Sequence, residues 1–137
     1  TNIAHWIERF EENVFSMVRV ITRIVPQMQE RGWGRLIQIG SSSGTSALAV
    51  APDYAAGKSA ILNISASLAK QYGQYGITAN TVSPGVILSE LITYRPLHRL
   101  GHLHEVGDLV AFLASPRAGY INGANIRIDG GNVGTIN

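Results

Sequence analysis

Apolar residues in this chain follow two alternating patterns, and that alternation limits the possible folds more than any other sequence feature. In residues 3–29, 53–72 and 104–115 they recur about every 3.6 positions, which is typical of amphipathic helices. Short apolar runs bounded by turn-forming residues predict strands at 36–39, 77–82 and 125–128. Helices that alternate with strands indicate an α/β fold with a doubly wound parallel sheet, whose ligands bind at the carboxyl ends of the strands.

The end of the first helix carries two kinds of breaking signal. Pro26 is expected to kink the helix, and Gly32 with Gly34 is expected to end it. After the first strand, residues 41–52 are rich in serine, alanine, glycine and proline. This composition predicts a loop.

The composition is that of an ordinary folded domain. At 137 residues, with 45% hydrophobic and 15% charged residues, the chain is predicted to form a single domain, residues 1–137. It has no uninterrupted apolar run of the about 18 residues that a membrane span needs. The net charge is only +2 and the basic residues are scattered, so neither a membrane nor nucleic acid is predicted as a partner. The lack of cysteine fits a reducing compartment, and we expect a cytoplasmic protein.

Tyr54 and Lys58 stand four residues apart in a predicted helix, so their side chains should face the same space. A phenol alone exchanges its proton slowly at neutral pH, because its reference pKa is about 10. A neighbouring cation favours the phenolate, and a serine hydroxyl such as that of Ser41 can hold a reacting oxygen. The trio suits proton transfer to or from an alcohol or carbonyl oxygen. A lone Tyr-x-x-x-Lys is, however, more often a half-buried aromatic residue beside a solvated lysine.

Three further segments place this trio in a specific context. They are Gly-Arg-Leu-Ile-Gln-Ile-Gly-Ser-Ser-Ser-Gly at 34–44, Gly-Ile-Thr-Ala-Asn-Thr-Val-Ser-Pro-Gly at 76–85 and Ile-Arg-Ile-Asp-Gly-Gly at 126–131. In this order they resemble the second half of a classical short-chain dehydrogenase/reductase, especially its 3-oxoacyl-carrier-protein reductase-like members. The resemblance covers almost the whole chain. It implies a Rossmann-like, three-layer α/β/α domain whose N-terminal portion is missing.

The resemblance also implies roles for four catalytic residues. Tyr54 is the general acid for carbonyl reduction and the base for alcohol oxidation, and Ser41 holds the substrate oxygen. Lys58 lowers the proton affinity of the tyrosine and binds the nicotinamide ribose, so Tyr54 and Lys58 are also cofactor-binding residues. Asn13 matches the helix asparagine that supports a water-linked proton relay, although an asparagine inside a helix is by itself usually structural.

A loop after the second strand is implied to bind the nicotinamide end of the cofactor through Pro84, Gly85, Ile87 and Ser89. The family more often has threonine where this chain has Ser89, and serine keeps the same donor and acceptor. Asn80, by contrast, resembles a structural asparagine that ties neighbouring loops together.

Three histidines, His98, His102 and His104, raise the question of a metal site. Zinc needs three or four converging ligands and a supporting second layer of hydrogen bonds, and nothing else nearby supplies a ligand. We therefore interpret the histidines as a polar turn entering a helix and predict no metal.

The resemblance implies an NAD(P)-dependent oxidoreductase that transfers hydride between a nicotinamide cofactor and a ketone or secondary alcohol, with a ketone or 3-oxoacyl thioester as the more specific expectation for the substrate. The cofactor is NADP or NAD, with NADPH slightly favoured. Family members commonly form tetramers, so a homotetramer or homodimer is expected, with Met17, Ile21, Ile61 and Leu68 partly at an interface. The alternatives are a binding module that has lost turnover and a purely structural subunit.

The front half of a dinucleotide-binding fold is absent from the sequence. That half would supply a glycine-rich turn for the pyrophosphate and a residue that reads the ribose. The chain is also short between Leu91 and Leu97, where related proteins carry a substrate-covering segment. Either the protein is a genuine fragment or the sequence joins pieces of a longer protein. The second explanation is favoured, because half a fold would expose an unpaired sheet edge.

Overall fold

The structure is a computed structural model that describes residues 2–85, 96–97 and 99–134. Its helices are α1 (Ile3–Phe10), α2 (Ser16–Arg31), α3 (Pro52–Tyr72) and α4 (Leu103–Ala114). Its strands are β1 (Gly34–Ile39), β2 (Ile77–Pro84) and β3 (Asn125–Ile128). None of the helices in these ranges is both long enough and apolar enough to cross a membrane.

The three strands form one parallel sheet in the order β1-β2-β3. Gly34 pairs with Ile77 and Ile39 with Val82, so β1 and β2 leave the sheet at the same edge. The central strand β2 is buried from its first residue through Ser83. Its backbone pairs with β1 on one side and β3 on the other, and the buried Thr81 hydroxyl has no hydrogen-bond partner among the described residues. Within the described residues β1 pairs on one side only, so its other edge is free. The predicted parallel α/β fold is confirmed.

Two apolar clusters cover opposite faces of the sheet. One joins Ile21 and Val25 of α2 to Leu36 of β1. The other packs Leu113 of α4 against the sheet and includes Ile37. Because successive strand residues point to opposite faces, Leu36 and Ile37 mark the two sides, and the layers are helix, sheet, helix. The expected three-layer arrangement is confirmed.

The first helical region differs from its prediction. The sequence predicts one helix over residues 3–29 with a kink at Pro26; α2 includes Pro26 without ending there, and the kink stays a prediction. Pro26 and Thr22, whose carbonyl loses its helical donor there, are both exposed, so water can satisfy that carbonyl. The single helix is interrupted at Glu11–Phe15, a wider π-helical turn between α1 and α2. Single π turns of this kind often occur at functional sites.

Asn80 is a structural residue, as its surroundings in the sequence predict. Its side chain is 1% exposed, donates to the Ile121 carbonyl at 2.8 Å and accepts from the Ala124 amide at 2.9 Å. In the opposite direction, the side-chain oxygen of Asn122 accepts a hydrogen bond from the Ala79 amide of β2 at 2.9 Å. These bonds fix the segment that leads into β3 against the middle of β2.

Candidate active site

Tyr54 and Lys58 lie on the same face of α3, one turn apart. The Lys58 ammonium nitrogen is 5.5 Å from the centre of the Tyr54 ring, and both side chains are partly buried. The helix begins at Pro52, which presets the first turn and places Tyr54 near the N-terminus of the helix. The shared face predicted from the four-residue spacing is therefore what the structure shows.

Lys58 is tied to the end of β1. Its ammonium donates to the Ile39 carbonyl at 3.0 Å, across nineteen positions of the chain. Burial lowers the pKa of Lys58 from its ordinary value of 10.5, because desolvation disfavours the charged form. An ammonium carries three hydrogens, and within the described residues this is the one hydrogen bond found for it. The group therefore keeps donors for a ligand at the strand end.

Ser41 lies just beyond the same strand end. Gly40 donates its amide to the Val82 carbonyl at 2.7 Å, and a Cβ atom at position 40 would lie 2.7 Å from the Ser83 hydroxyl oxygen. Only glycine permits this close approach of the two strand ends. Ser41 then begins a 3-10 turn, and its hydroxyl oxygen accepts from the Ser43 amide at 3.1 Å. One of the two lone pairs of this oxygen is engaged in this way, and the hydroxyl hydrogen has no acceptor among the described residues.

The turn that carries Ser41 packs on α3 beside Lys58. A Cβ atom at Gly44 would lie 3.1 Å from the carbonyl carbon and oxygen of Lys58. Ser41 is thus connected to Lys58 twice, through Gly44 after it and through the Ile39 carbonyl before it.

Asn13 lies in the π-helical turn and faces α3. Its side-chain amide donates to the Arg9 carbonyl at 3.0 Å, and a Cβ atom at Gly57 would lie 3.8 Å from the Asn13 Cβ. Asn13 and Lys58 line one open groove of about 440 Å³ that follows the free edge of β1. The structure therefore brings Asn13 to the same groove as Lys58. The hydrogen bond from its side-chain amide to the Arg9 carbonyl also agrees with a purely structural role for this asparagine.

The predicted nicotinamide loop is described only at its start. Pro84 ends β2, and Gly85 donates its amide to the Ile128 carbonyl at 3.0 Å. A Cβ atom at position 85 would lie 2.7 Å from the Asp129 Cβ, so glycine is required where this backbone meets β3. Ile87 and Ser89 lie outside the described residues.

The histidine segment adopts the turn expected before α4. The His102 and His104 rings stack 5.3 Å apart, and Arg99 forms a two-pronged ion pair with Glu105 at 2.8 and 2.7 Å. Across the described ranges, no group of three or more histidine, cysteine, aspartate or glutamate side chains could hold a metal. His98 lies outside those ranges.

Two hydrogen bonds at the site could not be predicted from the sequence. The bond from Lys58 to the Ile39 carbonyl uses a backbone atom that every residue has. The second bond, from the hydroxyl of the exposed helix residue Ser59 to the Gly44 carbonyl, also ends on a backbone atom. The polar run at 41–43 is visible in the sequence, but the side of α3 on which it packs depends on the tertiary structure.

The layered parallel sheet and its strand-end site define a Rossmann-like α/β protein. A family model described as "Enoyl-(Acyl carrier protein) reductase" matches residues 1–132. Among curated proteins, Nodulation protein G of Azospirillum brasilense is 33% identical over 93% of this chain and 57% of its own length. The 3-oxoacyl-[acyl-carrier-protein] reductase FabG of Vibrio cholerae is 33% identical over 92% of this chain and 57% of its length.

Among solved structures, a gluconate 5-dehydrogenase from Burkholderia cenocepacia, in complex with NADP and tartrate, superimposes with a TM-score of 0.92 and 25% identity. That match covers 99% of this chain and 59% of the other. The chain belongs to the short-chain dehydrogenase/reductase family. It spans somewhat more than half the length of the curated relatives it matches.

Proposed function

We propose that this protein is an NAD(P)-dependent oxidoreductase that interconverts a ketone and a secondary alcohol. The observation that carries the proposal is the pairing of Tyr54 with a partly buried Lys58 that is anchored to the end of β1. A phenol next to an ammonium can give and take a proton at an oxygen atom, which is the proton half of carbonyl reduction. The reductase and dehydrogenase relatives support the same reaction class.

Each described site residue then has a defined task. Tyr54 donates a proton to the carbonyl oxygen during reduction and removes it during alcohol oxidation. Lys58 stabilises the phenolate that is left, and the Ser41 hydroxyl donates a hydrogen bond to the reacting oxygen. Asn13 is the fourth member, and its amide in the groove beside Lys58 supports a proton path to solvent.

The residues present fit the nicotinamide end of a dinucleotide. Lys58 has ammonium hydrogens left for ribose hydroxyls, and Gly85 presents backbone without a side chain at the neighbouring strand end. Pro84 and Gly85, with Ile87 and Ser89 after them, would hold the carboxamide side. The cofactor supplies the hydride, and the chain's own residues bind, orient and move the proton. NADP or NAD is proposed, with NADPH slightly favoured because the gluconate dehydrogenase structure contains NADP.

A 3-oxoacyl thioester is the proposed substrate within the ketone class, since the FabG relative is a reductase of that kind. The rival from another class is a protein that keeps the fold as a binding module or structural subunit. Homotetramer or homodimer assembly and a cytoplasmic location stay predictions.

The test is a cofactor titration followed by turnover. The complete protein is titrated with NADPH and NADH, and reduced-nicotinamide absorbance is then followed with a 3-oxoacyl thioester and with a simple ketone. Loss of absorbance with either substrate supports the oxidoreductase, and a preference for the thioester supports the narrower substrate. Binding without oxidation would indicate a binding module, and no binding would indicate a structural subunit.

A further inference from the structure

Ser59, the residue after Lys58, hydrogen-bonds the turn that carries Ser41. Its hydroxyl donates to the Gly44 carbonyl at 2.8 Å. Gly44 in turn donates its amide to the Ser41 carbonyl at 2.9 Å. The Gly44 residue therefore has both backbone polar groups engaged, one with the proposed catalytic serine and one with α3.

The contact is close as well as polar. At position 44 a Cβ atom would lie 3.1 Å from the Lys58 carbonyl and 3.3 Å from the Leu62 side chain, so the turn lies directly on the helix backbone. Two successive residues of α3 thus hold the two sides of Ser41. Lys58 binds the Ile39 carbonyl before it, and Ser59 binds the Gly44 carbonyl after it.

We propose that Ser59 is a positioning residue that fixes the Ser41 hydroxyl relative to Lys58 and Tyr54. For the reaction, this inference rests on the proposed function. The Ser41 hydroxyl must meet the substrate oxygen at hydrogen-bond distance while that oxygen faces the phenol, and small displacements of such a group reduce catalysis strongly. Ser59 itself does not touch the reacting atoms. It acts by preventing the turn from lifting off α3.

The proposal can be tested with Ser59→Ala, which removes the hydroxyl, and Ser59→Thr, which restores it. Alanine is the best helix former, so the first change leaves α3 at least as stable. Ser67→Ala is the matched control, because Ser67 is an exposed serine of the same helix. Gly44→Ala disturbs the same contact between the turn and α3 by adding a methyl group on the turn.

The first readout is amide hydrogen exchange of Ser43, whose amide bonds the Ser41 hydroxyl, and of Gly44. Exchange should rise about two- to tenfold in Ser59→Ala, as expected for losing one hydrogen bond, and should return toward wild type in Ser59→Thr. Ser67→Ala should leave it unchanged. Unchanged exchange in Ser59→Ala would overturn the proposal whether or not the protein is an enzyme.

The second readout is kinetic. In Ser59→Ala, kcat should fall about two- to tenfold, with the dissociation constant for NADPH unchanged and the melting temperature lowered by a few degrees at most. Ser59→Ala and Gly44→Ala should be non-additive in kcat, because both disturb one contact. Faster exchange with unchanged kcat in an active enzyme would overturn the positioning role. Faster exchange in a protein that turns over no substrate would contradict the proposed function and leave the structural contact established.

Discussion

Polar residues between β2 and β3 and polar residues at the carboxyl end of β1 are used in opposite ways. On the β3 side, Asn80 is 1% exposed with both ends of its amide bonded, and Ser83 is 0% exposed and donates to Asn125 at 2.6 Å. On the β1 side, Ser41 and Lys58 are only partly buried. Each has a single side-chain hydrogen bond among the described residues, to a backbone group.

This difference distinguishes structural from functional polar groups at one sheet. A buried polar group finds its partners inside the protein in most cases, and Asn80 and Ser83 are bonded to backbone groups and to Asn125. A group that acts on a ligand must be held firmly and still keep a free donor or acceptor. Ser41 and Lys58 meet that condition, since one bond holds each of them and its remaining hydrogen-bonding capacity has no partner among the described residues.

The largest expected effect comes from Tyr54→Phe. Removing the phenol removes the proton carrier, so kcat should fall by about 100-fold to 10,000-fold. The ring remains, so the NADPH dissociation constant should change little. Tyr72→Phe, in the last turn of the same helix, is the control and should keep its turnover. Steady-state kinetics and a cofactor titration check both statements, and an unchanged kcat in Tyr54→Phe would refute the proposed mechanism.

On the β3 side, Asn80→Ala should have the opposite effect from Tyr54→Phe: it should reduce the stability of the protein instead of acting directly on turnover. It leaves the Ile121 carbonyl and the Ala124 amide without their buried partner, which costs about 2–4 kcal/mol of unfolding free energy. Asn63→Ala, at an exposed position of α3, should cost nothing. Urea unfolding measures the difference. A stable Asn80→Ala protein with impaired turnover would show that Asn80 has a functional role, and would contradict the distinction between structural polar groups near β3 and functional ones at the end of β1.

Contacts within one helix can be predicted from the sequence, whereas contacts between distant segments cannot. Periodicity predicts the helices and strands, and the four-residue spacing predicts that Tyr54 and Lys58 share a face, because both follow from local backbone geometry. The π-helical turn around Asn13 and the anchoring of Lys58 to the Ile39 carbonyl are not predicted. They arise when α3 packs against distant segments, and their acceptors are backbone atoms with no residue-type signature.

The partial burial of Lys58 should also make the stability of the protein depend on pH. Its pKa in the folded protein is lowered by burial from the ordinary 10.5, so between the two values the unfolded chain binds more protons than the folded one. The free energy of unfolding should therefore rise with pH in that window, on account of this group. Lys58→Met should lack this rise, while both turnover and cofactor binding are impaired. Lys70→Met, at an exposed position of α3, is the control and should retain the rise.

The smallest expected effect concerns Glu105, at the start of α4 on the β3 side. The hydrogen bonds from Arg99, followed by that from the His102 amide, lower the pKa of Glu105 from 4.5 to about 2. Its contribution to stability is complete above pH 4.5 and is lost as the pH falls toward about 2. Because the pair is solvent-exposed and screened, the change should be slight.

Acid titration of the melting temperature measures this contribution. Glu105→Gln should lie below wild type at neutral pH and converge with it as the carboxylate of the wild type is protonated. Glu30→Gln, at an exposed position of α2, should follow wild type throughout. A constant gap between Glu105→Gln and wild type down to the lowest pH would show that the side chain stabilises α4 by packing instead of charge. Polar side chains on the β3 side would then contribute to stability through packing as well as through hydrogen bonds.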